Sequence, residues 1–428
     1  MMTTCLSFIL MVVAFLVTTF LYPHVLNFAR KHNIVDNPSA RKLQRVPIPV
    51  MGGTAVFIGV VITSLIGYVI APDEEIIKIL GLLMVMYLLG VWDDIKDVSA
   101  SLRFVVEFFV TWMMVYMLGV EINNFHGLWN TYIISDSLSV PLSLIAGVGI
   151  MNAINLIDGV DGYCSSYGVM ACTAFAIIFY NVGDMAMFTL ALIAIGAIIP
   201  FFFHNVFGRT SKMFLGDGGS LMLGTLLALF VFRVLTKGFP AIYYNSVALS
   251  LPAVCLAILA VPVFDTLRVM NVRMAKGESP FHPDKTHLHH LFIDMNFSHL
   301  TTSATIVLGN IFIILTLLLG WMCELSVNKQ TYLVIFCSFL FTWCFYFLMD
   351  REHRQNDGEG SVFWQDCCKR GKATNLSTTA FWQFIRKVVD SRLLGDGSFN
   401  KTQTEQNGED NAELQKPRQD PRVNTEIK

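Results

Sequence analysis

The chain has 428 residues, 54% of them hydrophobic and only 14% charged, with a formal net charge of −2 and a mean hydropathy of +0.56. Soluble domains run at roughly 45–50% apolar and about 25% charged, so this composition excludes a water-soluble enzyme, a disordered chain and a disulfide scaffold. A pI near 6.5 also leaves no electrostatic footprint for nucleic acid.

A bilayer core of about 30 Å asks for roughly 17–25 apolar residues per helix. Reading for such runs predicts an all-α polytopic membrane protein of about eleven spans: Thr4–Leu26, Val50–Ile70, Ile76–Val91, Phe104–Val120, Val140–Ile154, Tyr163–Tyr180, Met185–Phe203, Gly219–Leu235, Val247–Phe264, Thr302–Trp321 and Tyr332–Met349. The third and fifth are short. The basic residues alternate between loops. Arg30, Lys31, Arg41, Lys42 and Arg45 fall in the first loop, Lys96 and Arg103 in the third, Arg209 and Lys212 in the seventh, and Arg268, Arg273, Lys276 and Lys285 in the ninth. The even loops are poor in them. By the positive-inside rule the odd loops are cytoplasmic, with the N-terminus outside and the C-terminus inside. Residues 1–349 therefore read as a transmembrane domain. Residues 350–428 read as a hydrophilic, disordered tail, with an amphipathic basic helix expected near 380–394.

The acidic and histidine clusters all fall in odd loops. Asp93-Asp94-x-x-Asp97 follows the third span; adjacent carboxylates repel unless a cation bridges them, although a solvated helix end explains the run about as well. Asn152, Asn155 and Asp158 recur every three residues and share one face of a continuing helix, with Gly159 expected as its left-handed stop. Oxygen donors of this kind suit Mg²⁺. Asp217, flanked by glycines at the start of the eighth span, is either an N-cap or part of an anion site at the helix N-terminus. His287, His289 and His290 lack zinc spacing and no thiolate completes a zinc site, so donors to a diphosphate are the more natural reading. Arg41 and Lys42, before the Pro47/Pro49 and Gly52/Gly53 pairs, suit a phosphate at the membrane surface, although sidedness alone accounts for the two charges. The nine cysteines sit mostly in apolar runs and indicate no redox chemistry.

In collinear order, D-N-P-x-x-R-K from Asp36, P-x-P-x-x-G-G from Pro47, W-D-D from Trp92, N-A-I-N-L-I-D-G-V-D-G from Asn152, F-L-G-D-G-G-S from Phe214, P-V-F-D-T-L-R-V from Pro262 and D-K-T-H-L-H-H from Asp284 make a specific set. With it the chain resembles the polyprenyl-phosphate N-acetylhexosamine-1-phosphate transferases, within them the bacterial undecaprenyl-phosphate N-acetylglucosaminyl-1-phosphate transferases. Gln44 stands where that family often has His. The resemblance implies an enzyme of the bacterial inner membrane with its active site on the cytoplasmic face. It would transfer a sugar-1-phosphate from a UDP-N-acetylhexosamine to undecaprenyl phosphate, release UMP and start a lipid-linked envelope polysaccharide.

The resemblance further implies Mg²⁺, or Mn²⁺, held by Asp217 with Asn155. Asp93, Asp94, Asp158 and Asp161 would be the catalytic carboxylates; Arg41, Lys42, Asn152, Arg273, His287, His289 and His290 would bind substrate. A homodimer is compatible with it. The competing readings are another N-acetylhexosamine or phospho-MurNAc-pentapeptide as the transferred group, an intramembrane prenyltransferase, a secondary transporter and a non-enzymatic scaffold.

Overall fold

The computed structural model describes residues 2–36, 47–279, 286–295, 297–355 and 388–390. Arg41 and Lys42 lie outside the described residues, as does most of the amphipathic helix expected near 380–394. Among the described residues ten helices are long and apolar enough to cross a membrane, and an eleventh span exists only as a bent pair.

In chain order the helices are α1 (Met2–Lys31), α2 (Gly52–Ile70), α3 (Glu74–Lys96), α4 (Ala100–Met113, running on as a wider π turn over Met114–Leu118), α5 (Asp136–Leu156), α6 (Tyr163–Val182), α7 (Met185–Phe207), α8 (Gly216–Leu235), α9 (Leu251–Ile258), α10 (Ala260–Ala275), α11 (Leu288–Asp294), α12 (His299–Met322), α13 (Val327–Phe339, with a π turn over Leu340–Cys344) and α14 (Phe345–Gln355). The two spans that read as short in sequence, α3 and α5, extend to 23 and 21 residues. α3 gains its first turn because Asp73 caps it, accepting from the Glu75 amide, and two glutamates follow at the positive end of the helix dipole.

α8 is apolar all round and is buried along almost its whole length, as a helix surrounded by other helices must be. α2, α3 and α5 pack around it, while α7 packs against α1, α2 and α6. Lipid tails are as apolar as leucine, so close backbone approach rather than hydrophobic expulsion holds such crossings. Glycines provide it. A Cβ at Gly53 would overlap the backbone of Gly219, and one at Gly90 would overlap the backbone of Asp217. The Gly52/Gly53 pair is thus engaged in packing and in main-chain bonds to the Phe214 and Leu215 carbonyls (2.8 and 2.7 Å).

The ninth span is broken. α9 and α10 meet at Leu259 at an angle of 73°. Pro262, in the first turn of α10, has no N–H to return to the Ile258 carbonyl, so the ladder fails there. Asn310 of α12 mends the gap: its amide donates to the Ala257 and Ile258 carbonyls (3.1 and 3.2 Å) and its oxygen accepts from the Val261 amide (3.0 Å). The Tyr167 hydroxyl also donates to the Ile258 carbonyl. Backbone groups freed inside a bilayer have to find such partners.

Two short antiparallel pairs lie toward the end where α8 finishes: β1 (Asn124–Leu128) with β2 (Thr131–Ile133), and β3 (Tyr243–Tyr244) with β4 (Val247–Ala248). At that end Arg233 binds Glu75 and Asp184 (3.2 and 2.7 Å), tying α8 to α3 and α7. The opposite end gathers the C-termini of α3, α5 and α7 and the N-termini of α2, α4, α6 and α8. The polar motifs are there.

Candidate active site

α8 starts from Leu215, whose side chain cannot cap it, with Gly216 at φ +77°. The open amides are met from outside the helix. Asp94, at the end of α3, accepts from the Asp217 and Gly218 amides (2.9 and 3.2 Å), and Asp158 accepts from the Gly216 amide. Two carboxylates therefore occupy the positive end of α8, the place where the sequence suggested an N-cap by Asp217 or a bound anion. Gly216 is required here: a Cβ would stand 2.6 Å from an Asp94 oxygen, and the backbone is left-handed.

Asp217 lies in the first turn. Its Oδ1 accepts from Asn155 Nδ2 at 2.5 Å, and the same amide reaches Ser220 Oγ at 2.9 Å. Asp36, Asp93 and Arg103 lie within electrostatic range of Asp217. The Asp158 carboxyl is pushed well above the usual range, first by burial and then by the charges of Asp217 and Asp94.

Beside this group runs a second network. Arg103 binds Asp93 and Glu107 (3.4 and 3.0 Å), and Asn152 Nδ2 donates to the other Glu107 oxygen at 2.5 Å. Asp93 also accepts from the Val98 amide at 2.7 Å, which holds the turn between α3 and α4. Asn152, expected on one face with Asn155 and Asp158, is engaged with the fully buried Glu107. Glu107 was not singled out in the sequence. Its signal is a lone glutamate inside an apolar helix, four residues after Arg103.

The helix expected to carry Asp158 stops earlier. α5 ends at Leu156, and the left-handed residue of the following turn is Gly162 (φ +77°), not Gly159. Gly159 is small for another reason: a Cβ there would sit 2.9 Å from His289 Nε2. His289 is buried against Tyr163 and stacks near-parallel with His287, ring centroids 5.8 Å apart. Burial, then the neighbouring His290 and His287, lower the His289 pKa well below the usual value. His287 Nδ1 meets Asp265 at 3.0 Å. Asp161 is bound by Lys212 and His299 (2.6 and 2.9 Å). Burial alone would raise Asp161, but these two partners outweigh it and hold the carboxyl below its usual value. Arg273 is buried in α10, and His290 is half-buried in α11.

The turn of residues 157–162 is thus the meeting point of the acidic group on one side and the histidines on the other. Among the described residues no three His, Cys, Asp or Glu side chains form a ready-made metal cage. Mg²⁺ does not need one, since it takes one or two carboxylates and completes its octahedron with waters and substrate phosphates. Asp94, Asp158 and Asp217 supply hard oxygen donors, and their mutual repulsion is what a cation relieves. The donor set fits that ion.

The model of glycosyl transferase family 4 matches residues 76–235, which is α3 through α8. The chain is also 31% identical over 289 residues to a Bacillus subtilis (strain 168) protein named as a probable undecaprenyl-phosphate N-acetylglucosaminyl 1-phosphate transferase, covering 67% of this chain and 77% of that protein. The chain belongs to glycosyl transferase family 4. Undecaprenyl-phosphate alpha-N-acetylglucosaminyl 1-phosphate transferases are similar to this family 4 member at 31% identity in Yersinia pestis (63% of this chain, 72% of the other) and at 28% in Escherichia coli (strain K12) (77% and 88%). The family 4 match contains Asp93, Asp94, Asn152, Asn155, Asp158, Asp161 and Asp217; Arg273 and the histidines lie beyond it.

Proposed function

We propose that the protein transfers N-acetylglucosamine-1-phosphate from UDP-N-acetylglucosamine to undecaprenyl phosphate at the cytoplasmic face of a bacterial inner membrane, releasing UMP. The observation that carries this reading is the convergence of Asp94, Asn155, Asp158 and Asp217 at one end of an apolar helix bundle, with His289 against the same turn and His287 stacked on His289. The relatives' names support the lipid acceptor and the transferred group, the UDP donor is part of our reading, and the distribution of Lys and Arg among the loops supports the face.

An oxygen of the lipid phosphate attacks the β-phosphorus of the sugar nucleotide. A new P–O–P bond forms, and the bond to the UMP oxygen breaks. A phosphate monoester has a second pKa of about 6, so the nucleophile arrives largely ionised and needs no strong base. Asp93, committed to Arg103 and the Val98 amide, orients the α3–α4 turn in this scheme. Bound Mg²⁺ would be held by Asp217 beside Asn155 and would offset the charge of the diphosphate. His287, His289 and Arg273 bind the same diphosphate in this reading, and the bundle's apolar flank meets the polyprenyl chain.

The test incubates purified protein with undecaprenyl phosphate, UDP-N-acetylglucosamine and Mg²⁺. The expected result is UMP and a lipid-diphosphate sugar, lost with EDTA and lost in a folded Asp217→Ala variant. UDP in place of UMP would mean direct glycosyl transfer and would overturn the reading. A panel of other UDP-N-acetylhexosamines fixes the sugar.

A further inference from the structure

Behind the histidines lies a buried unit that the reaction scheme leaves without a role. Asp265, on α10, meets four nitrogens: Arg268 Nε and Nη2 (3.2 and 2.7 Å), His287 Nδ1 (3.0 Å) and the Leu288 amide (3.2 Å). Arg268 is fully buried, donates to the Thr286 carbonyl at 2.5 Å and lies over the Tyr346 ring of α14, 3.5 Å from its centroid. Two polar atoms of this unit have no hydrogen-bond partner among the described residues: Arg268 Nη1 and His287 Nε2. A buried donor or acceptor left without a partner is costly, so a satisfied Asp265 beside an unsatisfied His287 Nε2 points to a ligand at that nitrogen.

We propose that Asp265 is a positioning residue that fixes His287 and the start of α11, so that His287 Nε2 is presented to the diphosphate of the sugar nucleotide. The inference rests on the transferase reading above. Asp265 takes Nδ1, so when the ring carries both protons Nε2–H is the donor left for an anion. The Leu288 amide, at the start of α11, is held by the same carboxylate, which sets the direction of the short helix that carries His289 and His290. Arg268 supplies the countercharge and pins residue 286, immediately before His287. Tyr346 closes the far side of the guanidinium, so α14, remote in sequence, steadies the histidines.

The experiment is a double-mutant cycle of Asp265→Asn and His287→Gln in purified full-length protein, reading UMP release against each substrate. Asp265→Asn should raise KM for UDP-N-acetylglucosamine and lower kcat/KM by roughly 10–100-fold, the range found when a carboxylate that orients a metal-bound histidine is removed. KM for undecaprenyl phosphate should hold. On the His287→Gln background the same change should cost less than about 3-fold, because the ring it orients is gone. An equal cost on both backgrounds, or equal shifts in both KM values, would overturn the positioning role. Should Asp265→Asn fail to fold, Tyr346→Leu carries the same cycle. It should give a smaller rise in the nucleotide KM that likewise vanishes without His287, and an additive effect would overturn the role. A wild-type protein that releases no UMP overturns the transferase reading and this inference with it.

Discussion

Replacing Asn310 with leucine tests how the broken span is held. The substitution keeps the side-chain volume close to native and removes only the amide. The Val261 N–H then loses the partner that it has at 3.0 Å, the full desolvation cost of a buried donor, about 1–3 kcal/mol. The Ala257 and Ile258 carbonyls lose bonds of 3.1 and 3.2 Å, but Ile258 keeps the Tyr167 hydroxyl and Ala257 keeps the Leu259 amide. Interhelical bonds of this kind average about 0.6 kcal/mol each in membrane proteins. The sum is roughly 2–4 kcal/mol, offset in part by the apolar contacts of the new leucine. Asn181→Leu is the control, because that amide only caps the Ile177 carbonyl of its own helix at an exposed position. Equilibrium unfolding in mild detergent should show the Asn310 variant at least about 2 kcal/mol less stable, and the Asn181 variant within about 0.5 kcal/mol of native. Indistinguishable variants would refute the claim that Asn310 mends the gap. UMP release should fall with the first variant as well, since the bend directs α10, with Asp265 and Arg268, toward the histidines.

Three further outcomes follow from close approaches and charges. Gly159→Ala should lower kcat/KM by up to about 10²-fold with little change in melting temperature, because its Cβ meets His289 Nε2 at 2.9 Å while the backbone there is not left-handed; steady-state kinetics beside a thermal melt separates the two. Gly53→Ala should destabilise the fold by about 1–3 kcal/mol in detergent unfolding, since rigid backbone at Gly219 blocks the methyl. Asp161, held below its usual value by His299 and Lys212, contributes stability that is present above the unfolded carboxylate pKa of about 3.9 and is lost as pH falls through the lower folded value. Melting temperatures of wild type and Asp161→Asn should therefore differ most near neutral pH and converge in acid; a gap that widens in acid contradicts the pairing.

Most of the bundle was readable because spanning a bilayer demands long apolar helices, and each such run stands out in a single sequence. The ends were less readable. Asp73 lengthens α3 through a cap, and Pro262 breaks the ninth span only in concert with Asn310, forty-eight positions on, inside a helix that otherwise reads as uniform grease. The sequence grouped Asp94, Asn155, Asp158 and Asp217 correctly as neighbours, since odd loops must share a face. It did not reveal that Asp94 and Asp158 sit on amides of α8, because no spacing rule encodes a contact between 94 and 217. The glycines misled for the same reason. Gly52 and Gly53 read as a phosphate-approach pair and Gly159 as a left-handed helix stop, yet at each a particular side chain or backbone from a distant segment fills the space that a Cβ would need. Glu107 went unnoticed because a periodicity argument treats one acid in an apolar helix as an exception rather than as a partner awaiting Arg103 and Asn152.

The contact between Asp94 and the first amides of α8 joins the opening and closing helices of the stretch from 76 to 235 that the family model covers. That stretch is a loop of chain fastened at its own two ends. α2 braces that fastening from outside the stretch, because its Gly52 and Gly53 amides bind the Phe214 and Leu215 carbonyls just before α8 and Gly53 lies against the Gly219 backbone, so the closure of 76–235 depends on a helix that the family model does not cover.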